Sequence, residues 1–288
     1  MNDQLGSYPR RIICLTEETT ETLYLLGAQD RIVGVSGYTV RPPEARSKPR
    51  VSAFINAKFD KILALKPDLV FAFSDLQADI AAELIRRGVN VMTFNHRGVT
   101  EILEMILTVG RIVGLVERAE QLVVTLQTEL EAIAASASRF ERRPRVFFEE
   151  WADPLISGIR WVDELIEIAG GVPVFPELRN CKAATNRVVS SADVTARNPE
   201  IIIASWCGRQ VKKNIIRQRE GWGEIAAIAN DDIYEIKSTY ILQPGPAALT
   251  EGVRQVHAIL SKVMNHHIEA VLLPREKVDS AVSSCSGV

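Results

Sequence analysis

A chain of 288 residues is long enough for about two ordinary domains. Apolar residues at 47% and charged residues at 24% exclude a disordered or fibrous chain. A formal net charge of -2 gives no positive field for nucleic acid or an anionic membrane, and no apolar run approaches the roughly 20 residues that span a bilayer.

Met1 to Ser7 lacks the charged and apolar segments of a secretory leader. A cytoplasmic protein is expected on that ground, or a periplasmic one if the chain is a processed form. Ile12-Ile13-Cys14-Leu15 reads as a strand, Thr16 to Thr20 as a polar loop, and Leu23, Leu25 and Leu26 as a helix stopped by Gly27. Arg31 to Ser36 is a second strand, and Pro42-Pro43 marks a surface loop near Tyr38. Asp60 is placed to cap a helix over 61–66, which Pro67 breaks before the buried strand Leu69 to Phe73. Leu76, Ile80, Leu84 and Ile85 share a helical face ended by Gly88, and Val89 to Phe94 follows as a strand.

Such alternation of strand and helix indicates a parallel sheet. Helices are expected over 100–113 and 117–137, the second carrying the stripe Leu122, Leu126, Leu130 and Ile133. At ~1.5 Å per residue that second helix is about 30 Å long. After Pro144 the pattern restarts with the strand Arg145 to Glu149 and a helix from Trp161 to Ala169, closed by Gly170-Gly171.

An internal repeat is visible. Ile62-Leu63-Ala64-Leu65-Lys66-Pro67-Asp68-Leu69-Val70-Phe71-Ala72 has a counterpart in Val194-Thr195-Ala196-Arg197-Asn198-Pro199-Glu200-Ile201-Ile202-Ile203-Ala204. Helix, Pro-acid turn and buried strand occur twice, about one domain apart. The expected fold is therefore α/β, with two Rossmann-like lobes of mainly parallel sheet joined by one long helix and a ligand cleft between them. The boundaries read as an N-terminal lobe over 1–112, a linking helix over 113–142 and a C-terminal lobe over 143–288.

Cys14, Cys181, Cys207 and Cys285 form no CxxC pair, which argues against a disulfide framework and a structural zinc knot. No metal site is expected. His96, after a first-lobe strand, is the histidine placed nearest the cleft, with a structural role favoured; His257 and His266-His267 lie further along.

The pattern resembles the helical-backbone class of periplasmic binding proteins, the substrate receptors of ABC importers, and within it the vitamin B12-binding branch. The resemblance is carried by Arg11 to Leu15, Leu26-Gly27, Arg31 to Tyr38 with Pro42-Pro43, Val51-Ser52 and Leu65 to Val70. In the second half it is carried by Gly158, Glu164-Leu165-Ile166, Ala169-Gly170-Gly171, Asn198-Pro199-Glu200 and Gly221-Trp222. Glu150 to Pro154, Trp161 to Glu164 and Pro244-Gly245-Pro246 are similar to a cobalamin-binding branch. Around Leu242 and Gln243 the charged residues of the vitamin B12 receptors are replaced.

In open α/β sheets ligands bind outside the carboxyl ends of the strands, which points to the loops after Leu15, Ser36, Phe73, Glu149, Ala204 and Lys237. Tyr38, Phe54 and Phe73 match the first-lobe aromatics that the resemblance places against a corrin ring, with core packing as the alternative for Phe54 and Phe73. Trp151, Trp161 and Trp206, three of the chain's four tryptophans, fall after strands or at a helix start. Glu17, Glu18, Arg160 and Arg209 could pair or grip polar substituents, and solvated surface charge is the alternative for each. Cys207, beside Gly208, and Tyr240 complete the candidate ligand contacts.

The function expected is non-catalytic binding of a corrinoid, cobalamin-like or metal-chelate ligand. A ferric-siderophore receptor is one alternative. A cofactor-dependent enzyme using Glu17, Cys207 or His96, or a ligand sensor on the same lobes, is another. No resident cofactor is assigned; a corrinoid would be the ligand. The partners expected are a small molecule and, by the resemblance, an ABC permease docked near Asp79 and Glu224.

Overall fold

The computed structural model describes residues 8–272. Cys285 and the side chains of His266 and His267 lie outside the description. The first lobe runs β1 (Ile12–Cys14), α1 (Glu17–Leu25), β2 (Ile32–Ser36), β3 (Arg50–Ala53), β4 (Asn56–Ala57), α2 (Phe59–Ala64), β5 (Leu69–Phe73), α3 (Ala78–Arg86) and β6 (Val91–Phe94). Its sheet order is β4-β3-β2-β1-β5-β6, parallel except for the short β4.

Two helices follow, α4 (Val99–Ile112) and α5 (Val116–Ala137). The second lobe then runs β7 (Arg145–Ala152), β8 (Leu155–Ser157), α6 (Arg160–Ile168), β9 (Val172–Pro173), α7 (Ser191–Arg197), β10 (Ile201–Ala204), α8 (Lys213–Arg217), α9 (Ala226–Ala229), β11 (Ile233–Glu235), α10 (Ser238–Ile241) and α11 (Val253–Leu272). Its order is β11-β10-β7-β8, with β9 beside β7. The protein is a two-lobed α/β molecule.

Strand residues alternate between two cores, because successive side chains point to opposite faces. Ile12, Cys14 and Phe71 join a central cluster, while Ile13, Val70 and Ala72 join an outer one. Likewise Ile201 and Ile203 face the central cluster, and Ile202 and Ala204 an outer cluster of the second lobe. The central cluster is continuous from one lobe to the other: Leu126 and Leu130 of α5, Val162 and Ile166 of α6, and Val256 and Leu260 of α11 all belong to it. One shared core therefore ties the lobes together.

The repeat has a mechanical counterpart. Lys66 and Asn198 both adopt the left-handed conformation, at φ 45 and 43, turning the chain before Pro67 and Pro199. Asp68 accepts the Arg10 and Arg11 amides at 2.7 and 3.0 Å, and Glu200 accepts the Arg145 amide at 3.0 Å. Arg11 donates back to the Leu65 carbonyl at 2.6 Å, and Arg145 to the Asn198 carbonyl at 3.0 Å. Both clasps sit at the amino ends of the strands, away from the cleft, so the repeat is a scaffold device.

Several local expectations are corrected. The polar stretch from Glu17 to Thr20 is the first turn of α1, not a loop, and all four residues are buried. Asp60 lies inside α2, whose cap position is Lys58. Leu76 and Ile85 are exposed at 58% and 61%, so the buried face of α3 is Ile80 and Leu84. β7 continues past Glu149 to Ala152, because β8 pairs with its far end as a hairpin. At α7, Ser190 and Asp193 form a capping box.

A cleft between facing sheet edges

The carboxyl ends of both sheets point toward each other, and contacts across the gap fix their alignment. Arg41, beyond β2, pairs with Glu251 at 3.0 Å and lies 5.0 Å over the Tyr240 ring, beyond β11. Glu17, beyond β1, is close enough to raise the pKa of Cys207, beyond β10. Arg160 at the start of α6 reaches Glu101 of α4 at 3.1 Å. The edge of the first sheet thus runs opposite that of the second, with β2 facing β11, β1 facing β10, and β6 facing the β8 side.

The floor is the segment 244–247. The His96 Nε2–H donates to the Pro244 carbonyl at 2.6 Å, and the Ala247 amide donates to Glu21 at 3.1 Å. Gly245 presses on α1: a Cβ there would stand 2.5 Å from the Glu18 Cβ and 3.0 Å from its Cα. The constraint on this Pro-Gly-Pro run is therefore steric, and its signal in the sequence is a glycine flanked by two prolines.

Glu17 and Glu18 are buried at the first turn of α1. Burial pushes Glu17 up to about 7, and burial, partly opposed by the Thr16 hydroxyl, pushes Glu18 up to about 8. Glu18 accepts the Thr16 hydroxyl, whereas Glu17 Oε1 is buried without a partner. Glu17 is thus the less satisfied carboxyl. Cys207, exposed at the far wall, has its thiol pKa raised by desolvation, then by the charges of Glu17 and Glu150.

Among the aromatic candidates, Tyr38 is 54% exposed, and Phe54, Trp151 and Tyr240 are half-buried. Trp151 carries the Arg209 guanidinium 5.1 Å from its ring. Three other aromatics sit inside. Trp161, 4% exposed, donates its indole N–H to the Ile241 carbonyl at 2.9 Å. Trp206, 6% exposed, donates to Glu149 at 3.1 Å, and Glu149 also holds Arg219 at 2.8 Å. Phe73 is buried, edge-on to His96 at 5.1 Å and under the Arg97 guanidinium at 4.8 Å. These three shape the walls from behind, because flanking a strand end also places a ring in the layer beneath it.

Arg160 forks between Glu101 and Glu164, and Glu164 accepts the Val99 amide at 2.6 Å. It is an interlobe clasp at the start of α4. His96 is buried, and burial lowers its pKa to about 4, so the ring is neutral. Arg97 and Arg187, unnoticed in the sequence, are both buried at the β6 and β8 ends of the cleft. Only their burial distinguishes them from surface arginines. Among the described residues no group of three or more His, Cys, Asp or Glu could hold a metal ion, and no helix is long and apolar enough to cross a membrane.

Two α/β lobes tied by one shared core, with the carboxyl ends of their sheets facing each other, are the architecture of a two-lobed binding protein. The family pattern described as Periplasmic binding protein matches residues 12–240, and the chain belongs to that family. It is 27% identical over 259 residues to the uncharacterized ABC transporter substrate-binding lipoprotein YvrC of Bacillus subtilis, covering 86% of this chain and 79% of the relative. It is 30% identical over 240 residues to the vitamin B12-binding protein of Salmonella typhimurium, covering 81% and 86%. A periplasmic heme binding protein from Pseudomonas aeruginosa shares the fold, with TM-score 0.74 and 18% identity over 88% of this chain and 92% of that one.

Proposed function

We propose that the protein binds a corrinoid, or a related planar metal chelate, in this cleft and presents it to an ABC permease without transforming it. The observation that carries the reading is that both lobes keep aromatic rings incompletely buried. Tyr38 and Phe54 belong to the first lobe, and Trp151 and Tyr240 to the second. Large amphipathic rings with solvent-reachable faces suit a broad, flat ligand, since each offers stacking area at little conformational cost. Glu17, Cys207 and Arg209 would contact its polar rim, while Glu18, Phe73, Arg160, Trp161 and Trp206 support the wall.

The division into lobes over 1–112 and 143–288 with a connecting helix over 113–142 fits a receptor that closes by a small angle, because α5 has no internal proline to bend at. Exposed Asp79 and Glu224, one per lobe, are the docking carboxylates of this proposal. The description of the Bacillus relative as a lipoprotein supports a location outside the cytoplasm over the cytoplasmic one expected from the sequence.

Equilibrium titration with cobalamin, haem and a ferric hydroxamate, read by tryptophan fluorescence and absorption, tests the reading. Saturable binding of cobalamin or haem, weakened about tenfold in Tyr38→Ala, is expected from the loss of one central aromatic contact. Absence of binding by every member of the panel would overturn it.

A further inference from the structure

Just past the end of β5, among exposed residues, lies one fully buried amide. Asp75, Leu76, Ala78 and Asp79 all stand in solvent, whereas Gln77 between them is 0% exposed. Burying an uncharged polar side chain is costly unless its hydrogen bonds are made. Here both ends of the amide are bonded to backbone groups. The Phe73 amide donates to Gln77 Oε1 at 2.9 Å, and Gln77 Nε2 donates to the Phe54 carbonyl at 2.7 Å. These partners fix which end of the amide is which, since an N–H only donates and a carbonyl only accepts.

The two groups belong to strands that are not neighbours. Phe73 ends β5 and Phe54 follows β3, with β1 and β2 between them in the sheet. Strands three places apart are about 14 Å from each other, further than one glutamine reaches. The turn carrying Phe54 therefore leans across the ends of β2 and β1 to meet Gln77. Other bonds follow the same direction: the Ser52 hydroxyl donates to the Leu15 carbonyl at 3.4 Å, and the Gly37 amide to the Ser52 carbonyl at 2.7 Å.

The room for this crossing comes from β1. Cys14 stands opposite Phe71, and the chain then turns away into α1 at Thr16 while β5 runs on to Phe73. The order of strands also reverses here, with β2 and β3 on one side of β1 and β5 and β6 on the other. Such a reversal opens a crevice at the carboxyl edge, where open α/β sheets take ligands. In this chain the crevice is filled from within. A tight turn delivers the filling side chain: Ser74 sits at φ 59 and ψ 175, a conformation costly for residues other than glycine. Its hydroxyl accepts the Leu76 amide at 3.2 Å, and its carbonyl accepts the Gln77 amide at 3.2 Å.

We infer that Gln77 is a positioning residue: its amide ties the Phe54–Ile55 turn across the filled crevice, so that this turn, and not the crevice, is the first-lobe surface a ligand meets. Ile55 is 62% and Leu76 58% exposed, so the two loops joined by the amide carry apolar side chains outward. The role of Phe54 as a ligand contact rests on the corrinoid or metal-chelate reading. The tie itself is a property of the ligand-free protein.

Hydrogen exchange without ligand tests the tie. Gln77→Met keeps the length of the side chain and loses both bonds, and amides over 52–58 are expected to exchange about tenfold faster, the scale of one or two lost hydrogen bonds. Gln77→Glu keeps the acceptor for Phe73 but can donate to Phe54 only while its carboxyl holds a proton. Relative to wild type at the same pH, its turn should be tight at about pH 5 and loose at about pH 9. Wild-type exchange in β10, in the other lobe, reports that a variant is folded. Unchanged exchange over 52–58 in Gln77→Met, or in Gln77→Glu at about pH 9 where the methionine variant does not fold, overturns the tie.

Titration with cobalamin and haem then asks whether Gln77 acts through Phe54. Phe54→Ala and Gln77→Met are each expected to weaken binding about three- to tenfold. The double variant should bind about as well as Phe54→Ala alone, because an absent ring needs no positioning. Losses that multiply, or a loosened turn with unchanged affinity, overturn the positioning role. A loosened turn with binding of neither macrocycle upholds the tie and overturns the ligand reading instead.

Discussion

Replacing Glu17 by glutamine should stabilise the protein, and by an amount that grows with pH. Glu17 is 8% exposed, and its carboxyl is pushed up to about 7 from an ordinary 4.5, by burial. The unfolded chain releases this proton near the ordinary value, and the folded chain only near the raised one. Between the two, the folded state holds more protons, so stability falls as pH rises. The penalty is absent below the unfolded value and complete above the folded one, where the shift corresponds to about 3 kcal/mol. Glu17→Gln keeps the shape and cannot ionise. Its advantage over wild type should be under about 1 kcal/mol near pH 5 and about 3 kcal/mol near pH 8.

Glu18 faces the same turn with a pKa near 8 and acts in the same direction. It is present in both proteins, so the difference between them reports mainly Glu17, with a smaller contribution from the relief of Glu18. Cys207 opposite stays a neutral thiol across this range, since its pKa is raised. Urea unfolding of both proteins across the range gives the difference directly. In thermal melts each kcal/mol should appear as about 2–4 °C for a chain of this size. A difference that does not change between acid and alkaline pH refutes the reasoning.

Gly245→Ala forces a Cβ to within 2.5 Å of the Glu18 Cβ, where helix backbone stands close behind, and should cost about 1–3 kcal/mol as overpacking, read as a lower melting temperature. Arg219→Met strips two hydrogen bonds, at 2.8 and 3.2 Å, from the fully buried Glu149 and leaves its charge unpaired. A loss of roughly 3–5 kcal/mol in urea is expected, with much of it recovered when Glu149→Gln is added. Leu126→Ala opens a cavity in the core shared by both lobes and should cost about 2–5 kcal/mol. Because that core is continuous, the variant should still unfold in one transition; separate transitions for the two lobes would contradict the shared core.

Much of the scaffold was legible. Strand runs such as Leu69 to Phe73 and Ile201 to Ala204 are apolar throughout because both faces of a parallel sheet are covered, and this needs no tertiary knowledge to recognise. The repeat around Pro67 and Pro199 was legible for a similar reason, since the left-handed turn, proline and following carboxylate are local requirements. The helices after Gly98 and Leu115 followed from their apolar period.

The candidate site was legible only as a set of loops. Trp151, Trp161 and Trp206 look alike in sequence, each close to a strand end or helix start. Only packing separates the half-buried Trp151 from Trp161, whose indole bonds Ile241, and Trp206, whose indole bonds Glu149. The polar run Thr16 to Thr20 read as solvated loop, because hydrophilic residues carry no signal for burial at a helix start between two lobes.

The sequence by itself determined the α/β class, the repeat and the family, because strand covering, turn chemistry and residue order act over short stretches of chain. The tertiary structure alone decided which of the candidate residues are buried and which stay accessible. The opposition of Glu17 to Cys207, the pressure of Gly245 on Glu18 and the unpaired guanidinium donors of Arg97 and Arg187 all arise between segments remote in sequence. Burial and charge at such a seam are set by how two sheets are brought edge to edge, which no local pattern encodes.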